Sequence, residues 1–180
     1  MGKRVRRVLT GHNADNKSYI MEDGPAPNHM EMGSMAGLLV TDIWETTTMP
    51  ADNSGSADNA DRPIRLEPPP NGTICRVVEF PPDSTWKNEA SSLEGFDSIG
   101  AGHAVSSNSD DPMMHVTTTT DYAIVLEGEV WAVMDEGETC LKAGDILVQR
   151  GTMHSWSVRT DQTARVAFVL VDAAPLPHQK

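Results

Sequence analysis

The last third of the chain contains short apolar segments joined by turns, and this spacing constrains the fold more than any other feature. Glycine or charged turn residues separate the segments, and Asp135-Glu136-Gly137 has the composition of a hairpin turn. Short antiparallel strands at such spacing are typical of a sandwich or barrel. The predicted strands span residues 121–126, 129–134, 138–141, 145–149, 154–159 and 164–172.

The first hundred residues carry fewer strand signals and more loop. Strands are predicted at 5–10, 17–22, 37–46 and 73–80, with a polar loop at 49–61. Residues 83–112 lack a regular pattern. No repeat or second domain is evident, and a length of 180 residues suits a single domain covering residues 1–180.

Two histidines and a carboxylate fall near predicted strand starts. His154 follows a turn at Gly151, and His115 lies six positions before Asp121. Within a small barrel these side chains can converge. Imidazole and carboxylate together suit a divalent transition metal, and a set of three such ligands leaves coordination positions open for chemistry.

These residues resemble the two motifs of the cupin superfamily. His115-x-Thr117, three residues, Asp121, six residues and Gly128 follow the spacing of the first motif. Gly144, four residues, Gln149-Arg150-Gly151, two residues and His154 follow the second with one residue fewer. The resemblance covers residues 113–172. It implies an all-β double-stranded β-helix, or jelly-roll barrel, to which residues 1–100 add extension strands and loops.

The resemblance also implies a metal site, with three departures from the motifs. Thr117 stands where the second histidine is expected, Asp121 replaces a glutamate, and Gln149 replaces a proline. The implied ligands of one divalent ion (Fe, Mn, Zn or Ni) are His115, Asp121 and His154. The alternative is a pair of hydrogen-bonded barrel histidines without metal, and a structural role for Asp121.

Three further residues are candidates for contact with a substrate. Trp156 shares its predicted inward face with His154 and could form an apolar wall, while Thr117 lies beside the ligands. Arg150 could pair with a substrate carboxylate.

Two catalytic candidates complete the set. His103, among the glycines of residues 100–102, is an acid/base candidate near the barrel mouth, the alternative being a surface histidine. Tyr122 should face away from Asp121 and could act in catalysis only if a bulge turned it inward.

Composition limits the partners. Fourteen basic and 26 acidic residues give a formal charge of −12, which argues against nucleic acid and anionic membranes. No apolar run reaches the roughly 20 residues of a membrane span. Two cysteines are too few for a disulfide framework, and a cytoplasmic location is expected.

The expected function is that of a metal-dependent enzyme acting by lyase-type chemistry on a small organic substrate, an aromatic or unsaturated acid or ketone. A non-haem iron dioxygenase is one alternative. A metal-free cupin that binds a small molecule without catalysis is the other, and fold alone does not distinguish them. A homodimer is expected, because the predicted strands leave sheet edges to be covered.

Overall fold

The computed structural model describes residues 4–87, 92–106, 109 and 111–177, and most of its regular structure is β-strand. The helical segments in this part are α1 (Ser92–Asp97) and single 3-10 turns at Asp83–Thr85 and Gly102–Ala104. None of the described helices is long and apolar enough to cross a bilayer. The strands are β1 (Arg6–His12), β2 (Ser18–Pro25), β3 (His29–Glu31), β4 (Leu39–Thr46), β5 (Thr73–Phe80), β6 (Thr119–Glu127), β7 (Glu129–Met134), β8 (Glu138–Lys142), β9 (Ile146–Arg150), β10 (His154–Ser157) and β11 (Ala164–Asp172).

Antiparallel pairing arranges the described strands in three sheets. The largest has the order β3-β4-β5-β11-β6-β9, a second has the order β10-β7-β8, and β1 pairs with β2 as a separate hairpin. From β6 onward the chain passes repeatedly between the two larger sheets, with β6, β9 and β11 in one and β7, β8 and β10 in the other, as in the jelly roll that the sequence predicts. The all-β cupin barrel is therefore confirmed.

The first hundred residues contribute more to the barrel than extension strands. β4 and β5 belong to the large sheet, and β5 pairs with β11 along eight residues from Thr73 to Phe80. The barrel therefore extends well beyond residues 113–172. Neither β3 nor α1 was predicted from the sequence, and α1 lies in the segment predicted to be irregular.

The core lies between the two larger sheets. Inward side chains alternate along β6 and β11, so that Asp121, Ala123 and Val125 are buried while Tyr122 is exposed. The rings of Phe80, Trp156 and Phe168 pack together, with the Trp156 and Phe168 centroids 5.3 Å apart. This aromatic cluster lies in the barrel interior, where the Trp156 ring packs beside that of His154.

Gly128 closes the first motif for a steric reason. It has a φ of 74°, and a Cβ at this position would lie 2.9 Å from the Thr163 carbonyl oxygen. Only glycine adopts such a backbone without strain and also permits so close an approach. The tight turn between β6 and β7 therefore depends on it.

Candidate functional site

The two motif histidines form a buried pair. The backbone N–H of His115 donates to the His154 carbonyl oxygen and that of His154 donates to the His115 carbonyl oxygen, both at 2.9 Å. This two-residue bridge joins the segment before β6 to the start of β10. It holds the ring centroids 4.2 Å apart. The convergence expected from the motif spacing is therefore present in the fold.

Backbone carbonyls fix the tautomer of both rings. His115 Nδ1 lies 2.6 Å from the Met113 carbonyl oxygen, and His154 Nδ1 lies 2.9 Å from that of Thr152. A carbonyl oxygen only accepts, so Nδ1 must carry the proton in each ring. When the ring is neutral, Nε2 keeps its lone pair and can bind a metal ion or accept a proton.

Burial keeps both imidazoles neutral. It lowers the pKa of His115 and, together with the neighbouring His115 ring, lowers the pKa of His154 well below its ordinary value. Two neutral rings can lie in contact without charge repulsion. The pair is therefore prepared to act as ligands or bases rather than as cations.

Polar side chains hold the two turns that carry these carbonyls. Gln149 Nε2 donates to the Thr152 carbonyl oxygen at 2.8 Å and also contacts the Thr152 hydroxyl. Gln149 thus ties the turn where the cupin motif has a proline. On the other side, Asp111 accepts a hydrogen bond from the Met113 backbone N–H at 2.9 Å and one from the Ser155 hydroxyl at 2.7 Å.

Asp121 and Thr117 face the same interior. Burial raises the pKa of Asp121 to about 6, against the opposing effects of a hydrogen bond from Thr119 and of the Arg76 charge. Among the described residues, Asp121 Oδ1 is buried without a hydrogen-bond partner. The Thr117 hydroxyl is committed to that of Thr119 at 2.8 Å. Asp121 is therefore the carboxylate available to a ligand.

These residues line a cavity of about 60 Å³ inside the barrel. A volume of this size admits a small molecule or the end of a larger one. Apart from one arginine, the two histidines, Asp121 and Thr117, its wall is apolar. The remaining lining residues are Met32, Leu38, Val40, Leu66, Val78, Phe80, Phe96, Ile99, Met113, Trp156, Phe168 and Leu170.

The arginine in the wall is Arg76, which belongs to a buried ion cluster on β4, β5 and the segment between them. Asp42 faces Arg76 across the β4–β5 pair, with Arg76 Nη2 3.0 Å from Asp42 Oδ1. Arg62 Nη1 lies 2.9 Å from Asp42 Oδ2 and its Nε contacts Glu45, which also binds Arg65 at 2.6 Å. We call this cluster the arginine wall, and His115 and His154 with their carbonyl acceptors the histidine wall.

The structure places Tyr122 and Arg150 outside the cavity. β6 pairs with β9 in unbroken register at Tyr122, so no bulge turns the phenol inward, and 45% of Tyr122 is exposed. Arg150 is exposed on the same outer face and lines a separate surface depression. The substrate contact considered for Arg150 and the catalytic role considered for Tyr122 are corrected accordingly, because strand alternation directs both side chains away from the site.

His103 lies at the surface. Its side chain is 69% exposed and Nε2 is 3.8 Å from Glu67 Oε2. Leu66 and Ile99 line both the cavity and the surface depression that contains His103, so a wall separates this imidazole from the histidine pair. The structure does not bring His103 into the cavity. By contrast, Trp156 lines it as expected, with its ring centroid 5.8 Å from that of His154.

The described residues do not form a complete set of metal ligands. In the part of the chain that the structure describes, no group of three or more His, Cys, Asp or Glu side chains is arranged to hold an ion. The two Nε2 atoms suit a divalent ion chemically, and the unpartnered Asp121 oxygen lines the same cavity. Asp121 as the third ligand stays a prediction.

Sequence reasoning missed Arg76 and the ion cluster around it. One signal was present: Arg76 alternates with Ile74 and Val78 in a largely apolar strand, which places it on the same face as these two residues. A charged residue at an inward position requires a buried partner. Its partner Asp42 could not be identified, because the pairing of β4 with β5 joins segments more than thirty residues apart.

No profile of a known protein family matches the chain, whereas individual relatives do. It is 29% identical to the cupin-domain-containing oxidoreductase virC of Hypocrea virens, over 97% of this chain and 79% of that protein. It is 28% identical to the oryzines biosynthesis cluster protein J of Aspergillus oryzae, over 96% of this chain and 86% of that protein.

A third relative is matched over a shorter stretch. The phomopsin biosynthesis cluster protein C' of Diaporthe leptostromiformis is 31% identical over 74% of this chain, which spans 60% of that relative's length. The two motifs, the barrel around them and the full-length similarity to cupin-domain proteins agree. The chain has the cupin fold and is similar over nearly its whole length to a cupin-domain-containing protein.

Proposed function

We propose that this cupin is an enzyme that transfers a proton on a small organic acid or ketone bound in the barrel cavity, a lyase-type or isomerase-type reaction. The observation that carries the proposal is the neutral histidine pair, whose Nε2 lone pairs are left free by the two Nδ1 contacts to backbone carbonyls. A buried carboxyl with a free oxygen, that of Asp121, lines the same cavity.

Each residue has a distinct role in this proposal. His115 and His154 would hold a divalent metal ion through Nε2, and such an ion supplies polarisation of a carbonyl or carboxylate oxygen when bound. Asp121, with a pKa raised to about 6, would take a proton from carbon and return it, since a catalytic acid/base works best near the operating pH. Trp156 and Phe168 would exclude water around the reacting carbon.

The names of the relatives favour a second candidate. Several are called cupin-domain-containing oxidoreductases, which is compatible with the dioxygenase alternative. Two histidines with one carboxylate are a known ligand set for non-haem iron, so Asp121 would then act as a ligand instead of a base.

The third candidate, a metal-free binding domain, is favoured by Thr117. Its hydroxyl stands where the cupin motif has a second histidine and is engaged with Thr119.

Proton transfer to solvent distinguishes these candidates. Unsaturated acids and ketones would be incubated with the protein in D₂O, with and without dioxygen and EDTA, and deuterium at carbon followed by NMR. We expect exchange without dioxygen that His154→Gln abolishes. Consumption only with dioxygen supports the oxygenase, and binding without exchange or consumption supports the binding domain.

The Asp121→Asn variant separates the two roles of the carboxylate. If Asp121 is the base, the variant keeps bound metal and loses exchange. If it is the third ligand, the variant loses metal and exchange together. Metal content by plasma emission spectrometry and exchange by NMR would be measured on the same preparation.

A further inference from the structure

The arginine wall brings one permanent positive charge into a cavity whose wall is otherwise apolar apart from the two histidines, Asp121 and Thr117. Among the described residues that line the cavity, Arg76 is the one that carries a permanent positive charge, and its exposed fraction is only 3%. The two histidines are neutral and the remaining wall, Asp121 and Thr117 apart, is apolar. A buried cation in such surroundings must find an anionic or strongly polar partner.

The partners of Arg76 within the protein are incomplete. Its Nη2 contacts Asp42 and donates to the Arg65 carbonyl oxygen, but its buried Nε has no hydrogen-bond partner among the residues that the structure describes. Burial lowers the pKa of Arg76, against the opposing effect of the Asp42 carboxylate. The guanidinium of Arg76 therefore keeps an N–H group that can donate a hydrogen bond to an acceptor on a ligand.

The cluster also carries one more positive than negative charge. Three arginines, Arg62, Arg65 and Arg76, share the two carboxylates of Asp42 and Glu45. Asp42 and Glu45 also contact Arg62, which does not line the cavity. Arg76 is therefore the arginine of the cluster that lines the cavity.

We infer that Arg76 binds the carboxylate of a small organic anion and so sets the substrate class as an acid rather than a neutral ketone. This inference rests on the proposed function, whose substrate it narrows. Guanidinium N–H groups form strong, charge-assisted hydrogen bonds with carboxylates. The role replaces the one that the sequence assigned to Arg150, which lies outside the cavity.

The aromatic cluster defines where the rest of the molecule lies. Phe168 is the cross-strand partner of Arg76 on β11, its ring contacts Trp156, and the Trp156 ring contacts His154. An anion held at Arg76 would therefore lay its apolar body along Phe168 and Trp156, toward the histidine wall. This arrangement places the carbon next to the carboxylate within the cavity that Asp121 shares.

Matched pairs of probes test the charge preference without any variant. Acetate, crotonate and benzoate would each be compared with its own amide by titration calorimetry, in EDTA so that a bound metal cannot supply an anion site. The members of a pair have nearly the same shape and differ in charge. We expect at least one acid to bind wild type at least about tenfold more tightly than its amide.

Two variants assign the preference to Arg76. Arg76→Gln should abolish it, and Arg76→Lys, which keeps the charge and protects Asp42 from losing its partner, should retain part of it. Arg62→Gln is the matched control, because it removes another arginine of the same cluster outside the cavity. It should keep the acid preference. Circular dichroism would establish that each variant is folded.

Three results would overturn the assignment: equal binding of acids and amides by wild type, no binding of any acid at millimolar concentration, or an acid preference that survives in Arg76→Gln. The proposed function fails separately. An acid that binds through Arg76 but undergoes no exchange refutes proton transfer and leaves the anion site standing. Deuterium exchange on neutral ketones, without any preference for acids over amides in binding, would refute the anion site and leave proton transfer standing.

Discussion

The two polar walls of the cavity are built on different physical principles. The histidine wall holds neutral rings with backbone carbonyls contributed by residues two positions earlier in the chain. The arginine wall holds full charges with one another, across strands and loops far apart in sequence. Local neutral contacts cost little to bury, whereas buried charges are costly unless each is paired. The histidine wall should therefore be sensitive in function, and the arginine wall sensitive in stability.

The largest effect is expected from breaking the arginine wall. Asp42→Ala removes a fully buried carboxylate and leaves Arg76 and Arg62 without it, which should lower the free energy of unfolding by about 3–5 kcal/mol. Urea unfolding followed by fluorescence measures this. Asp23→Ala, which breaks an exposed pair with Arg6, is the control and should have a far smaller effect. Similar losses in the two variants would show that burial does not distinguish them.

The histidine wall should respond in metal affinity. Removing His154 should weaken Zn²⁺ binding by more than about 100-fold, because even loss of an outer partner of a metal ligand costs about 10–100-fold. Zn²⁺ calorimetry on His154→Ala tests this, with His12→Ala, an exposed histidine on β1, as control. Equal Zn²⁺ affinity in wild type and His154→Ala would remove the metal from the proposed function.

A smaller effect is expected one contact further out. Gln149→Ala frees the Thr152 carbonyl from its side-chain donor and loosens the acceptor of His154 Nδ1. Zn²⁺ affinity should fall by about tenfold, with the fold intact. If Gln149→Ala matches His154→Ala, the turn rather than the imidazole controls binding.

The pH dependence of stability separates the histidine pair from Asp121. Both histidines have a pKa below the unfolded value of about 6.5, so the unfolded state gains protons first as the pH falls, and stability falls with it. Asp121 acts in the opposite direction. Its folded pKa of about 6 exceeds the unfolded value, so it contributes stability at low pH that is lost as the pH rises through 6.

Variants can reveal each contribution in urea unfolding between pH 4 and 8. Replacing both histidines with glutamine should flatten the loss of stability below about pH 6.5. Asp121→Asn should make that loss steeper, because the opposing contribution is gone. If both variants lose stability at low pH just as wild type does, other groups cause that loss.

The histidine wall could be predicted from the sequence, whereas the arginine wall could not. The strands β7, β5 and β11 were predicted with their observed bounds, and the histidine pair was expected from motif spacing, because alternation and turn chemistry are local. The arginine wall was not predicted, because Asp42 meets Arg76 only through the β4–β5 register and Arg62 reaches them from a loop. Tyr122 and Arg150 were considered for the site although strand parity already turned Tyr122 outward.

The homodimer expected from uncovered sheet edges remains a prediction. Light scattering at micromolar concentration should return twice the 19.5 kDa mass of the chain. A monomer would leave the edges of the large sheet, β3 and β9, to be protected in another way.

His115 and His154 should present unprotonated Nε2 atoms to the cavity, and long-range ¹H–¹⁵N NMR of the imidazole nitrogens detects their protonation state. Resonances would be assigned by their loss in His115→Gln and His154→Gln. Both rings should be neutral and protonated at Nδ1 at pH 6.5, and should remain so at a pH where exposed histidines are charged. Protonation at Nε2 in either ring, or an imidazolium at pH 6.5, would contradict it.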